Sequence, residues 1–303
     1  MPELRFDDRV AVITGAGRGL GRAYALLLAA RGAKVVVNDN GVGLKGDGGD
    51  TSPAQEVVGE IRDAGGEACA CTESVATPDG GAAIINTALA TYGRIDILIH
   101  NAGNVRGVHL HEMTQDDFDS VMDVHLHGAF HVVRPAFVAM REAGYGRIVL
   151  TSSVNGLYGN YRQANYATAK AGMIGLSNVA ALEGAASGVK SNVIIPAAVT
   201  RMAEGLDTSA YPPMLPDLVA PVVGWLAHES CSISGEMLIS IAGRVARAFT
   251  TESRGVYRPS WSIEQVASDI DAIRDAAVPY VPDVVPSGHA DHIRYSFAMA
   301  AGK

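Results

Sequence analysis

The run VAVITGAGRGLG, residues 10–21, constrains this chain more than any other stretch: an uncharged, β-branched segment breaks into closely spaced glycines and passes into RAYALLLAARGA, a segment with a helical apolar face. Residues apolar on both sides suit a strand buried between helices, not one face of a solvated sheet. Gly15 suits a tight turn, Gly19 a close approach of backbone to a bound group, and Gly21 close contact of helix on strand. The helix amides and dipole then favour an anion, so Gly15, Arg18, Gly19, Leu20 and Gly21 are expected to cradle the pyrophosphate of a dinucleotide.

The same rhythm continues. KVVVND (34–39), IDILIHNAG (95–103), GRIVLTSS (146–153), KSNVIIP (190–196) and EMLISIAG (236–243) read as further strands separated by helical stretches. Alternation of this kind predicts an α/β fold, a Rossmann-like doubly wound parallel sheet. Composition does not change before about residue 245, so residues 1–245 read as one domain. Residues 246–303 read as an extension lying on that domain or on a partner subunit. In it, SIEQVASDIDAIRDAA has the pattern of one amphipathic helix, and VPYVPDVVPSGHADH is proline-rich and poor material for regular structure. The glycine-rich NGVGLKGDGGD (40–50) reads as a flexible loop.

At 303 residues and 48% hydrophobic the chain can bury a large core, while a formal net charge of −8 gives no clustered cationic surface for nucleic acid. No uncharged run approaches the ~18 residues of a membrane span, and the opening MPELRFDDRV lacks the pattern of a secretory leader. A cytoplasmic location is expected. Cys69, Cys71 and Cys231 fit neither a disulfide framework nor a four-ligand zinc site, so they read as reduced core residues and no metal is expected.

Asp39 follows the glycine turn at close to the ~20-residue spacing of an acid that binds an adenosine ribose. A carboxylate there repels the extra phosphate of NADP, so NAD is the expected cofactor; Asp39 as a simple turn residue is the alternative. In YATAK, Tyr166 and Lys170 are i and i+4 and share a helix face. An ammonium beside a phenol lowers the phenol pKa and fits it for proton exchange with a substrate hydroxyl, and Ser153, at the end of GRIVLTSS, can hold the substrate oxygen.

Together, TGAGRGLG, NAG at 101–103, Ser153, and Tyr166 and Lys170 in YATAK resemble the short-chain dehydrogenase/reductase superfamily over residues 5–245. That resemblance implies catalytic roles for Ser153, Tyr166 and Lys170, a second task for Lys170 on the nicotinamide ribose, and a cofactor site that includes Asn101, Ala102 and Gly103. A narrower likeness, in VVVNDNGVGLKGDG, VHLHGAF, YGRIVLTSSVNGLYGNYRQANYATAK and WLAHESC, is to the (3R)-hydroxyacyl-CoA dehydrogenase domains of peroxisomal multifunctional enzymes, in the 17β-hydroxysteroid dehydrogenase group. It implies that Ser74 and Val75 flank the adenine and that Pro196, Val199 and Thr200 meet the nicotinamide end. Most of the superfamily has Asn where this chain has His125, which implies a supporting catalytic role for the imidazole, and glycine where it has Ala197.

The reading that follows is NAD-dependent interconversion of a secondary alcohol and a ketone, on a (3R)-3-hydroxyacyl-CoA with a fatty or steroid side chain. Free hydroxysteroids are one alternative, and a non-catalytic dinucleotide sensor is another. Arg162 and Arg201 are candidates for coenzyme A phosphates. Residues 200–221 carry Met202, Leu206, Met214 and Leu215 and suit a lid, and Tyr158, Tyr161, Arg162 and Gln163 line a pocket or form an exposed loop. His127 and His131 are i, i+4 but lack the acid of a metal-helix motif, His109 and His111 read as loop residues, and Asp96 as the anchor of a strand start. The helices bearing DDFDSVMDVHLHGAFHVVRPAF and YATAKAGMIGLSNVAAL are apolar enough to imply a homodimer or homotetramer.

Overall fold

The computed structural model of the chain describes residues 3–43, 52–199 and 211–301. Its contacts divide it into two units, Met1–Arg247 and Ala248–Lys303.

In the first unit, β1 (Val10–Thr14), β4 (Ile97–His100) and β5 (Gly146–Thr151) are buried at every position, as their uninterrupted apolar character requires. With β2 (Lys34–Asn38), β3 (Glu67–Cys71), β6 (Val189–Ala197) and β7 (Met237–Ile241) they pair in parallel, and β8 (Arg244–Ala248) completes the sheet order 3-2-1-4-5-6-7-8. The chain runs outward from β1 to β3 and returns to β4 beside β1. That reversal opens a crevice beyond the carboxyl ends of the strands, where ligands bind in such sheets.

One face of the sheet is covered by α1 (Gly19–Ala30), α2 (Ser52–Asp63) and α8 (Ala220–Ala227), whose Tyr24, Leu28, Val57, Ile61, Val223 and Leu226 join Ile13, Val35, Val37, Ile97 and Val149 in one cluster. Burial of each such side chain contributes about 1.5–3 kcal/mol. The remaining first-unit helices include α3 (Pro78–Tyr92), α4 (Gln115–Met122), α5 (Gly128–Ala143), the short α6 (Val154–Tyr158) and α7 (Ala164–Gly184). Thr77 caps α3 by accepting from the Gly80 amide, with Pro78 in its first turn, and Gly93 ends it at φ 76°. Along α7, Ala169, Met173, Ser177, Ala180 and Gly184 form the buried stripe of a helical period. Between α4 and α5 the helix widens into a π turn over Asp123–His127, a feature the apolar pattern does not announce.

At the amino ends of the strands Asp96 is 1% exposed and accepts from the Val10 amide at 2.9 Å and from Arg9 and Arg94. It anchors the strand starts. Beside it, Arg147 is buried and spends its donors on the carbonyls of Gly146, Gly188, His228 and Glu229.

In the second unit, α9 (Ile263–Ile273) begins at a capping box of Ser262 with Gln265, and Tyr280 stacks on Tyr295 at 4.3 Å. A second helix, α10 (Gly288–Ala300), starts inside the stretch expected to be irregular. The last proline is Pro286, so beyond it no residue lacks the amide a helix needs.

Candidate active site

The glycine turn lies in the crevice between β1 and β4. Gly15 and Gly19 have φ of 62° and 54°, the left-handed region where a side chain is strained. A Cβ at Gly21 would meet the Gly15 carbonyl oxygen at 2.1 Å, so this glycine seats α1 on the turn and does not face the cavity. Arg18, the residue preceding α1, gives no side-chain cap, and no acid lies in the first turn. Those first amides are the donors a pyrophosphate would take up.

Asp39, just past β2, accepts from the Gly17 amide at 2.9 Å through Oδ2 and from the Gly41 amide at 2.8 Å through Oδ1. The carboxylate thus staples the turn as well as facing the cavity. The loop expected at 40–50 is described only as far as Gly43.

Thr14 ends β1, and its hydroxyl accepts from the amides of Asn101 and Ala102, both at 3.1 Å. With two donors already received, its own proton goes to His100 Nδ1 at 3.0 Å, which leaves Nε2–H of His100 to donate to the His125 carbonyl at 3.2 Å. Burial first, then the charge of Lys170, lowers the His100 pKa to about 3, so this ring is neutral. Asn101 also donates through its side chain to the Gly15 carbonyl at 3.1 Å and holds the turn against β4. A threonine closing an otherwise aliphatic strand was the available signal for this junction.

At the end of β5, Ser153 precedes α6 and its hydroxyl accepts from the Asn155 amide at 3.2 Å. Tyr166 and Lys170 stand on α7, and the Ser153 hydroxyl is the group that pulls the phenol pKa down. Lys170 is 3% exposed; its Nζ donates to the Thr151 carbonyl at 2.6 Å and lies 5.4 Å from the centroid of the Tyr166 ring. Burial dominates the electrostatics of this pair. Burial raises the Tyr166 pKa and only Ser153 pulls it back, while burial lowers that of Lys170 to about 7. The amine meets a carbonyl and the ring face, and burial works against the charged form of both groups.

His125 lies in the π turn, buried, with its ring edge-on to Tyr166 at 5.1 Å between centroids. Its Nε2 meets the backbone of Asn104, 3.1 Å from the amide nitrogen and 2.8 Å from the carbonyl oxygen, while Nδ1 has no partner among the described residues. Asn104 Oδ1 and Thr151 Oγ1 are likewise buried without partners.

These groups surround one cavity of about 290 Å³. Gly15, Arg18, Gly19, Leu20 and Asp39 line it at one end, Ser74 and Val75 beside them, then Asn101, Ala102, Gly103 and His125, and finally Tyr166, Lys170 and Pro196. Asn38, Glu73, Asn104, Thr151 and Ala198 line it as well, residues the motifs did not single out. Neither Ser153 nor Val199 is part of the lining, which Ser152 enters in place of Ser153; the Val199 amide donates to the Met214 carbonyl at 2.7 Å. Thr200, Arg201, Met202 and Leu206 lie outside the described residues. A larger cavity, about 540 Å³, occupies the amino ends of the strands around Arg9, Arg94 and Tyr145. Its arginines already face Asp96 and Glu229, so the chemistry belongs to the carboxyl ends.

His127 bonds Asp123 at 2.8 Å and His131 bonds the Val75 carbonyl at 2.9 Å, so these rings do not converge. Among the described residues no group of three or more His, Cys, Asp and Glu side chains is arranged to hold a metal ion, and no helix is long and apolar enough to cross a membrane.

A model of the short chain dehydrogenase family matches residues 9–209. Over 260 residues, 85% of this chain and 43% of the relative, the chain is 50% identical to the peroxisomal multifunctional enzyme type 2 of Drosophila melanogaster. The solved full-length structure of that enzyme aligns at a TM-score of 0.81 and 39% identity, over 98% of this chain and 50% of that one. A short-chain type dehydrogenase/reductase of Mycobacterium tuberculosis is 44% identical over 272 residues, 89% of this chain and 95% of the relative. The chain thus spans about half the length of the Drosophila enzyme it matches.

Proposed function

The chain belongs to the short-chain dehydrogenase family and is an oxidoreductase of CH–OH groups that uses a nicotinamide dinucleotide; on that premise we propose that it is an NAD-dependent (3R)-3-hydroxyacyl-CoA dehydrogenase. The observation that carries the proposal is the convergence of Tyr166 and Lys170, with Ser153 next to the lining residue Ser152, on a cavity whose other end is a glycine turn opening an uncapped helix. Gly15, Arg18, Gly19 and Leu20 would take the pyrophosphate with the α1 amides, Asp39, Ser74 and Val75 the adenosine, and Tyr166, Lys170 and Pro196 the nicotinamide end. When bound, the dinucleotide supplies the two-electron acceptor for the carbinol C–H.

The chain's own residues manage the proton. Ser153 holds the substrate oxygen next to the phenol, and Tyr166, once its own proton has passed to water and left the phenolate, takes the carbinol proton on that oxygen. A buried lysine at the Thr151 carbonyl keeps a positive charge available beside the ring whenever it is protonated. His125, edge-on to Tyr166, limits where that ring can turn.

Exposed apolar bulk supports an acyl substrate: Leu110, Tyr158 and Tyr161 are 76%, 80% and 88% exposed, and the Val108–Gln163 bridge ties the segment before Leu110 to the one after Tyr161. Arg162, next to Tyr161, donates to the Gly107 carbonyl and is the candidate for a coenzyme A phosphate. Exposed Phe130 and Val138 on α5 and Val179 on α7 support a homo-oligomer, which light scattering at micromolar concentration tests. The cytosol is our proposed compartment, against a relative whose name places it in the peroxisome, and imaging a full-length fluorescent fusion decides between them.

Tyr166→Phe removes only the hydroxyl. It should reduce kcat by about 10²–10⁴-fold while the variant still binds NAD; near-normal turnover would refute the assignment. Turnover of a 3-hydroxyacyl-CoA against a matched free steroid alcohol separates the two substrate classes.

A further inference from the structure

We propose that selection against a 2′-phosphate is divided between two carboxylates, with Glu73 supplying the freely oriented negative charge and Asp39 committed to holding the phosphate turn. This inference rests on the NAD reading above.

Both oxygens of Asp39 are engaged by backbone, Oδ2 with the Gly17 amide and Oδ1 with the Gly41 amide. The fit is close, since a Cβ at Gly17 would meet Asp39 Oδ2 at 2.8 Å. Asp39 therefore has a fixed orientation, and removing it takes acceptors from two amides of the cofactor cradle.

Glu73 is placed differently. β2 and β3 pair in register at Asn38 and Cys71, and the Asn38 side chain donates to the carbonyls of Cys71 at 3.1 Å and Glu73 at 2.9 Å. These bonds fix the backbone of Glu73 alongside Asp39 and Asn40 at the adenosine end of the cavity, which Glu73 lines. The side chain itself is exposed and has no hydrogen bond or ion pair among the described residues. Among the described residues Arg18 is the cation lining the same end, so the two carboxylates outnumber it there. A dianionic phosphate brought to that rim meets net like charge, whereas an unphosphorylated ribose does not.

The test is titration of the nucleotide-free protein with NAD and with NADP, followed by calorimetry, for wild type, Glu73→Gln and Asp39→Asn, with thermal melts of all three. Glu73→Gln should raise the NADP-to-NAD affinity ratio by about fivefold, the scale of an exposed charge interaction acting on a doubly charged group, and should melt with wild type. Asp39→Asn should weaken both nucleotides and lower the melting temperature, because an amide side chain cannot accept at both positions. The proposal is overturned if Glu73→Gln leaves the ratio unchanged, or if Asp39→Asn melts with wild type and alone gains NADP. A wild-type protein that binds NADP as tightly as NAD would overturn the NAD reading itself, and the proposal with it, before either variant is made.

Discussion

Replacing Lys170 by methionine should make the nucleotide-free protein more stable while it abolishes turnover. The lysine is 3% exposed, and burial lowers its pKa to about 7, far below the ~10.4 of a lysine in an unfolded chain. Between those two values the unfolded chain binds a proton that the folded chain does not, so stability rises with pH across that window. At pH 7 the buried amine therefore costs about 4 kcal/mol relative to alkaline solution. Methionine has nearly the same length and no charge, but it abandons the Thr151 carbonyl that Nζ bonds at 2.6 Å, a loss of about 1–3 kcal/mol. The net gain is about 1–3 kcal/mol, or roughly 5 °C in Tm at 2–4 °C per kcal/mol for a domain of this size. Calorimetric melting of both proteins between pH 6.5 and 10 is the assay. The advantage of the variant should be largest near neutrality and reverse towards pH 10, where the lost hydrogen bond is the larger effect. A variant that melts below wild type at pH 7, or by a margin that ignores pH, refutes the argument that burial of charge dominates this position.

Gly21→Ala should abolish dinucleotide binding and destabilise the fold by several kcal/mol, on the order of other overpacked cores, because its Cβ would lie 2.1 Å from the Gly15 carbonyl oxygen; equilibrium unfolding and nucleotide titration read both effects. Asp96→Asn takes the buried carboxylate away from the partly exposed Arg9 and Arg94 and from the Val10 amide and should cost about 1–3 kcal/mol in urea unfolding, with no change in the substrate KM of the fraction that stays folded.

Much of this architecture was legible because its causes are local. Strands buried on both faces must be continuously apolar, and VAVIT, ILIH and GRIVLT are; a turn that needs positive φ at Gly15 and Gly19 must carry glycine there. Tyr166 and Lys170 were readable because four residues is one helical turn. The electrostatics of that pair were not, since the pKa of Lys170 depends on how completely β5 and α7 exclude water around it, a property of packing and not of spacing. The roles of Thr14, Glu73 and Asn104 also depend on distant partners: the Thr14 hydroxyl serves amides at 101 and 102, and Glu73 reaches the cavity only because β3 pairs with β2 in register. α10 was hidden by the proline run before it, which masks a helix that begins two residues after Pro286.

The π turn at Asp123–His127 sets a phase for everything after it. A π turn accommodates one residue more than the α-helical ladder around it, and each residue of an α-helix advances the chain by roughly 100°. Shortening this turn by one residue would rotate α5 by that angle about its axis, swinging His131 away from the Val75 carbonyl and from Gly81, whose absent Cβ lets the two helices meet at that residue. The adenosine wall and the imidazole beside Tyr166 are thus indexed by a single inserted residue, and deletion of Leu126, which does not line the cavity, should disconnect its two ends.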